Sequence, residues 1–268
     1  MADEPGIDRI RREWEARARS PYRDFFVASH RGWQDADAWR HQAEMDVAHL
    51  FTRLPFDHPE GLGAVPYREL DVLEIGCGVG RLAAVLAPRV RSYGGFDFSP
   101  SMVARAREGA APNCAFWVND GLTFPTEIGA RKFGLVFALA VFIHCPKSVC
   151  ASLIAEARRV LAAGGQFRGH FLCDQNDLEG LAPPSSHARP SDGTGGSEDA
   201  SVPPPTLAPS EEFRGHVEYA AAEFLEGTAY TGHLFRVPEL RELITAAGFT
   251  DIAIARFDPV QMYVAARP

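Results

Sequence analysis

Apolar residues along this chain fall into short runs of strand length and longer stretches of helical spacing. The first run, Val72 to Ile75, holds three apolar side chains in four positions and is followed by glycines. Beyond the glycines, Leu82, Val85 and Leu86 keep the spacing of one helix face, and Pro88 then stops the helix. Because the same order of strand, turn and helix recurs after it, the pattern predicts a parallel α/β sheet.

Four further strands and a C-terminal hairpin complete the predicted sheet. Ser99 and Pro100 have the residue types of an N-cap and of a first helical position, so a helix is expected to begin there. A second helix is predicted at 147–161, closed by Gly164 and Gly165, and a third at 238–247. The predicted strands are 93–98, 114–118, 133–140 and 166–172, and the hairpin pairs 251–257 with 261–266.

Residues 1–68 precede this alternating core and are predicted to be helical. One helix carries Ile7, Ile10, Trp14 and Ala18 on one face, and a second extends from about 37 to 54. The connection between them is rich in aromatic residues, namely Tyr22, Phe25, Phe26 and Trp33. Two interpretations stay open: these aromatics dock the helices on the core, or they form part of a cap over a ligand site.

The segment 180–212 differs from the rest in composition. It is rich in Pro, Ser and Gly and contains neither Trp nor Tyr, so it cannot bury enough apolar surface to fold alone. We therefore divide the chain into an N-terminal helical extension, 1–68, and a main domain, 69–268, with a flexible insertion at about 180–212.

Charge and cysteine content narrow the function classes. The net charge is -8, with 35 acidic against 27 basic residues, and no basic cluster interrupts this balance. Nucleic acid is therefore not expected as a partner. The five cysteines form an odd set without a C-x-x-C pair, which is typical of reduced thiols in the cytoplasm. No apolar segment of membrane-spanning length is present, and the scarcity of lysine beside abundant arginine suggests a bacterial source.

The glycine-rich turn after the first strand has the pattern G-x-G-x-G at Gly76, Gly78 and Gly80. Arg81 occupies the position where a dinucleotide-binding fingerprint has its third glycine. Glu74 lies two positions before the first glycine, and its carboxylate would repel a pyrophosphate. The same carboxylate suits a ligand that carries an ammonium group.

This combination resembles motif I of the class I S-adenosylmethionine-dependent methyltransferases. The resemblance extends over about 71–172 and 238–268. It implies a Rossmann-like, seven-stranded, mostly parallel sheet with an antiparallel last strand, helices on both faces and an N-terminal helical cap. It also implies S-adenosylmethionine as the cofactor, S-adenosylhomocysteine as its product, and methylation of a small molecule at O, N or C.

The predicted cofactor residues lie at the carboxyl ends of successive strands, where open α/β sheets bind ligands. By resemblance, Glu74 faces the amino group of the donor and the glycine loop its methionine part. Asp97 ends the second strand, where a carboxylate can accept hydrogen bonds from vicinal ribose hydroxyls. Phe98 and Met102 either form apolar walls around the adenine or only pack the following helix against the core. The predicted set is Glu74, Gly76, Cys77, Gly78, Gly80, Asp97, Phe98, Met102, Asn119, Asp120, Gly121, Ala138 and Val141.

The acceptor side is predicted from histidines and aromatic residues. A hydroxyl or ammonium acceptor must lose a proton, which a histidine can take up. His144 and His233 are the candidate bases, although a structural role for His144 is equally open. The candidate substrate-binding residues are Tyr22, Trp33, Trp39, His170 and Tyr230. No metal site is expected.

Two other functions remain possible from the sequence. An NAD-dependent oxidoreductase would also use Asp97, although Arg81 and Glu74 argue against it. A protein with this fold could also bind S-adenosylmethionine without methylating anything. The expected state is a monomer or a homodimer.

Overall fold

A computed structural model describes residues 6–28, 33–52, 67–174, 233–256 and 261–268. Seven helices and eight strands lie in these ranges. The helices are α1 Ile7–Arg19, α2 Arg23–Val27, α3 Ala36–Thr52, α4 Arg81–Leu86, α5 Pro100–Arg107, α6 Lys147–Val160 and α7 Val237–Ala246. The strands are β1 Asp71–Ile75, β2 Ser92–Asp97, β3 Cys114–Val118, β4 Phe133–Ala138, β5 Leu161–Cys173, β6 Leu234–Phe235, β7 Asp251–Arg256 and β8 Gln261–Arg267.

The strands form one mixed sheet in the order β3-β2-β1-β4-β5-β8-β7. Strands β1 to β5 are parallel to their neighbours, whereas β8 is antiparallel to both β5 and β7. The chain runs outward from β1 through β2 to β3 and then returns to place β4 on the other side of β1. This reversal opens a crevice at the carboxyl ends of β1 and β4, where open sheets bind their ligands.

Both faces of the sheet are covered, so the central strands are buried throughout. One apolar cluster joins the sheet to α6 and α7, with Leu153 and Ile244 among its members. The other joins it to α3, α4 and α5, through residues such as Val47, Leu86 and Val103. This arrangement confirms the predicted Rossmann-like fold.

Three details differ from the predicted elements. Helix α6 ends at Val160 and β5 begins at once, so Gly164 and Gly165 lie inside the strand. The register of β4 against β5 shifts there, and a Cβ on Gly165 would lie 2.9 Å from the carbonyl oxygen of Phe133. Gly164 and Gly165 therefore belong to a bulge in β5, whereas the sequence predicts that they close helix α6.

The other two differences concern strand ends. Strand β4 stops at Ala138, two residues before the predicted end, because Ala140 has a φ of 55° and cannot continue a strand. The sheet also gains an eighth strand, since the two residues of β6 pair in parallel with Leu172 and Cys173 of β5. The predicted insertion at 180–212 lies outside the described residues.

Candidate functional site

The glycine loop after β1 has the left-handed backbone that its sequence predicts. Gly76, Gly78 and Gly80 have φ values of 67°, 50° and 78°, which side chains with a Cβ rarely adopt. A Cβ on Gly76 would lie 2.4 Å from Cγ2 of Val141, in the segment after β4. The loop therefore lies directly against the carboxyl end of the neighbouring strand.

A cavity of about 930 Å³, including its open mouth, lies at this edge of the sheet. The glycine loop and the ends of β1, β2 and β4 form its base, and α1 covers it through Ile10 and Trp14. Its walls are mostly apolar and carry a few polar groups, which is typical of small-molecule sites. Its walls are Ile10, Trp14, Val27, Glu74, Ile75, Gly76, Cys77, Gly78, Arg81, Leu82, Phe96, Asp97, Phe98, Met102, Asn119, Gly121, Leu139, Ala140, Val141, His144, Cys145 and Leu153.

Asp97 is fixed at the end of β2 by two backbone hydrogen bonds. The amide of Ser99 donates to Oδ1 at 2.8 Å, and the amide of Gly78 donates to Oδ2 at 3.1 Å. Burial raises the pKa of Asp97 to about 6, although the bonds from Ser99 and Gly78 oppose the shift. A carboxylate has lone pairs for about four hydrogen bonds, so both oxygens can still accept from a ligand.

Glu74 is buried beside the loop and accepts a hydrogen bond from the hydroxyl of Tyr93. Burial raises the pKa of Glu74 to about 8, and the hydrogen bond from Tyr93 and the charge of Arg81 only partly offset it. A cationic group in the cavity would favour the ionised form. Glu74 is therefore suited to an ammonium ligand.

Helix α1 is held over the cavity by hydrogen bonds between its own Glu15 carboxylate and the start of α5. Glu15 accepts hydrogen bonds from the hydroxyls of Ser99 and Ser101, both at 2.5 Å, and from the amide of Ser101 at 3.3 Å. Ser99 is also the N-cap of α5, through its bond from the amide of Met102 at 3.2 Å. This contact fixes the N-terminal helix to the element that follows Asp97.

His144 lies in the cavity wall opposite β2, where it meets the covering helix. Its ring packs edge-to-face on Trp14, with the ring centroids 5.2 Å apart. Trp14 is in turn 5.2 Å from the guanidinium of Arg17, which also lies over Phe26 at 5.6 Å. Helix α1 thus supplies one aromatic wall of the cavity through Trp14.

Most of the predicted cofactor residues line this one cavity. They are Glu74, Gly76, Cys77, Gly78, Asp97, Phe98, Met102, Asn119, Gly121 and Val141. Sequence reasoning singled them out because each lies at or just after the carboxyl end of a strand or at the start of the following helix. Their convergence follows from the parallel arrangement of β1, β2 and β3 with β4.

Three predicted cofactor residues do not line the cavity. Gly80 instead packs against α5, where a Cβ would lie 3.2 Å from that of Ala106. Asp120 turns its carboxylate to its own loop and accepts bonds from the amides of Leu122 and Thr123, at 2.8 and 2.7 Å. Ala138 is fully buried as the last residue of β4, and the cavity is reached only by the residues after it.

The predicted acceptor residues are dispersed. Tyr22 and Trp33 pack on each other with ring centroids 6.3 Å apart, and Trp39 lies 5.6 Å from the guanidinium of Arg81. His233 is outside the cavity walls, and Tyr230 lies outside the described residues. Among the described residues, the aromatic ring of the N-terminal helices that lines the cavity is that of Trp14.

His170 has a position different from the predicted contact with a substrate. Its ring stacks on Tyr263, with centroids 5.1 Å apart, and Nδ1 accepts a hydrogen bond of 3.3 Å from the amide of Ala140. Among the cavity residues other than glycine, Ala140 is the one with a positive φ. His170 thus supports the backbone of the cavity wall from behind.

Sequence reasoning did not assign several cavity residues to the site. Ile10 and Trp14 were recognised only as one apolar helix face, which carries no information about what the face covers. Arg81 was noticed only as the residue that replaces a glycine of the dinucleotide fingerprint. The apolar periodicity of α1 was the one available signal for a cap.

The described residues contain no group of three or more His, Cys, Asp or Glu side chains that could hold a metal ion. Among the helices that the structure describes, none has the length and apolar character needed to cross a bilayer.

Comparison with known proteins relates both the sequence and the fold to methyltransferases. A family model for a methyltransferase domain matches residues 72–165, which include the glycine loop, Asp97 and His144. The DhpI-SAM-HEP complex is 19% identical, covers 100% of both chains and has a TM-score of 0.55. Magnesium protoporphyrin IX methyltransferase from Synechocystis PCC 6803 with bound SAM is 16% identical over 99% of this chain and 98% of that one (TM-score 0.54). N-methyltransferase NodS from Bradyrhizobium japonicum WM9, complexed with S-adenosyl-L-homocysteine, is 14% identical over 97% and 98% (TM-score 0.54).

Proposed function

The chain carries a methyltransferase domain in a class I S-adenosylmethionine-dependent methyltransferase fold, and from this premise we propose that it methylates a small-molecule acceptor. The methyl group passes from S-adenosylmethionine to an O, N or C atom of that acceptor. The observation that carries the proposal is the cavity in which the glycine loop, Glu74 and Asp97 converge.

The described residues fit the donor along its length. Asp97 has spare lone pairs for the two ribose hydroxyls, and Glu74 offers a carboxylate to the amino group. Phe98 and Met102 provide apolar surface for the adenine, and Asn119 and Gly121 border the same space. The positive φ of Gly76 and Gly78 lets their backbone approach the ligand without a Cβ between.

The bound donor supplies an electrophilic methyl group on a sulfonium, and the chain's residues align the acceptor with it and exclude water. Such positioning lowers barriers by about 7–11 kcal/mol in favourable systems. Trp14 covers the cavity, and Ala140 and Val141 supply small surface at its base. Aligning the acceptor and excluding water do not require any residue of the protein to react covalently.

His144 is the candidate proton acceptor for a hydroxyl or ammonium acceptor, because it lines the cavity. A positioned base contributes about 10²–10⁴-fold to a rate. His233, the second candidate in the sequence, lies outside the cavity walls. We expect His144→Gln to lower turnover within that range while donor affinity survives, with His233→Gln as the matched control.

Ligand binding tests the donor assignment. We expect S-adenosylmethionine and S-adenosylhomocysteine to bind in the micromolar range by calorimetry, and NAD to give no detectable heat. Tighter binding of NAD would favour the oxidoreductase alternative. Binding of S-adenosylmethionine without transfer of its labelled methyl group to any acceptor in a metabolite extract would favour a binding protein.

A further inference from the structure

His170 lies behind the cavity wall, on the part of β5 that continues past its last pair with β4. The side chain is 6% exposed, and its ring stacks on Tyr263 with an angle of 24° between the planes. Nδ1 accepts a hydrogen bond of 3.3 Å from the amide of Ala140. A ring nitrogen that accepts a hydrogen bond carries no proton, so the neutral ring has its proton on Nε2. His170 therefore contacts the segment after β4 as an acceptor.

The backbone that His170 contacts is strained. Ala140 has a φ of 55°, and among the described residues it is the one residue other than glycine with a positive φ. A Cβ makes this left-handed conformation unfavourable, because it crowds the following carbonyl oxygen. Such strain persists only where the surrounding structure holds it, and it is frequent at functional sites. The hydrogen bond from Ala140 to His170 is a contact that offsets this strain.

The turn at Ala140 directs the following residues to the cavity. Val141 lies so close to the glycine loop that a Cβ on Gly76 would be 2.4 Å from its Cγ2. Phe142–His144 then form a short 3-10 turn, and the amide of His144 donates to the carbonyl of Val141 at 2.9 Å. Both Val141 and His144 line the cavity. Their positions therefore depend on the backbone direction at Ala140.

We propose that His170 is a positioning residue for methyl transfer, because its Nδ1 holds Ala140 in the conformation that places Val141 and His144 in the cavity wall. The inference rests on the proposed function, and it assigns His170 no contact with donor or acceptor. A purely structural role is the alternative, in which the ring only fills the space beside Tyr263. The two roles need different atoms, since positioning requires an acceptor at Nδ1 and packing requires a flat ring.

Two substitutions of His170 separate these roles. His170→Asn keeps an acceptor oxygen near the place of Nδ1 and loses the ring, whereas His170→Phe keeps a ring beside Tyr263 and loses the acceptor. One readout is the ring-proton signal of His144 in NMR spectra, assigned with His144→Gln. The ring of Trp14, with its centroid 5.2 Å away, shifts this signal and makes it sensitive to the position of His144. The second readout is the affinity for S-adenosylhomocysteine by calorimetry.

We expect His170→Asn to keep the wild-type signal of His144 and to bind S-adenosylhomocysteine within about twofold of the wild type. His170→Phe should move the His144 signal and weaken binding about 3- to 10-fold, since loss of the hydrogen bond lowers the fraction of protein with a formed cavity wall. Glycine adopts a positive φ without strain. In an Ala140→Gly background, His170→Phe should therefore change the affinity by less than about twofold.

The opposite order of the two variants would overturn the proposal. If His170→Phe keeps the wild-type signal and affinity, or if His170→Asn loses as much as His170→Phe, the residue acts by packing. The wild-type protein decides the case of variants that do not fold: near neutral pH the ¹⁵N signals of His170 should show a proton on Nε2 and none on Nδ1, and a proton on Nδ1 would contradict the contact. A wild-type protein that binds no S-adenosylhomocysteine would contradict the proposed function, whereas the spectra of His144 and His170 test the contact itself.

Discussion

Glu74 shows how one residue joins stability to ligand binding. Its buried carboxyl has a pKa of about 8, against an ordinary value of 4.5, so the folded protein without ligand holds a proton that the unfolded chain releases. The resulting stability is present below about pH 4.5 and is lost as the pH rises through 8. Binding of a cation beside Glu74 would reverse this preference.

We therefore expect Glu74→Gln to raise the melting temperature of the ligand-free protein. Glutamine can still accept the hydrogen bond from Tyr93 and carries no charge to bury. The gain should be small at pH 5 and reach the order of 5 °C at pH 8.5. Differential scanning fluorimetry across this pH range measures it, and a gain that is the same at every pH would contradict the role of the carboxyl proton. Donor affinity should fall in the same variant.

Asp97 is expected to carry the ribose contact. Asp97→Ala should weaken binding of S-adenosylhomocysteine by about 1.5–3 kcal/mol for each hydrogen bond lost, and Asp97→Asn by less, since the amide keeps one acceptor oxygen. Wild-type affinity should also fall as the pH drops through about 6, where the carboxylate takes up a proton. Calorimetry measures both effects.

Asp120→Ala is the informative comparison for Asp97. Both aspartates follow a strand end in the sequence, but only Asp97 lines the cavity, whereas the carboxylate of Asp120 is bonded to its own loop. Near-wild-type affinity is expected for Asp120→Ala. A loss equal to that of Asp97→Ala would return Asp120 to the cofactor-binding residues.

At the scale of elements, α1 is joined to the donor site through Glu15. The serines that it contacts begin α5, which directly follows Asp97, so the covering helix is tied to the end of β2. Burial alone would raise the pKa of Glu15, but the bonds from Ser101 and Ser99 outweigh it and lower the value. The contact should therefore persist in its charged form at neutral pH.

Glu15→Ala should loosen the cover without disturbing the sheet. Hydrogen bonds to a charged group contribute about 1.5–3 kcal/mol each, so S-adenosylhomocysteine should bind about 10-fold more weakly once those of Glu15 are lost. Proteolysis within α1 should become faster, while the melting of the sheet by circular dichroism changes little. Asp8→Ala is the control, because Asp8 lies on the same helix and is largely exposed. Equal effects of the two substitutions would contradict the role of Glu15 in holding α1 over the cavity.

The sequence predicts the elements better than their ends. Apolar runs such as 72–75 and 114–118 predict strands, and the strand ends locate Glu74 and Asp97. The bulge at Gly164 and the positive φ of Ala140 depend on contacts with other strands and with His170, which no local pattern encodes. Trp14 and Arg81 were missed as site residues for the same reason, since the packing of α1 and the ion pair of Arg81 with Asp46 are tertiary.

At the scale of the whole molecule, the described residues before and after the segment 175–232 belong to one sheet. Strand β5 pairs with β4 and β8, and apolar clusters pack on both faces of the sheet. The chain returns to the sheet at β6, beside the end of β5. The described strands on both sides of the segment are therefore joined by hydrogen bonds.

Deletion of residues 183–208 should accordingly leave donor affinity and melting temperature close to those of the wild type. The remaining linker is long, and loop-closure entropy changes only logarithmically with length. Fluorimetry and calorimetry with S-adenosylhomocysteine measure the two quantities. A loss of several degrees would show that the deleted residues pack on the core.

The pairing of β6 with β5 also bears on how such a protein can diversify. Leu172 and Cys173 pair with Leu234 and Phe235, so the chain leaves and re-enters the sheet at one point, at the edge that holds the cavity. A cassette inserted there can be exchanged, lengthened or recombined while the strand order stays the same. Changes in such a cassette can then accumulate without moving the strand ends that carry Glu74 and Asp97.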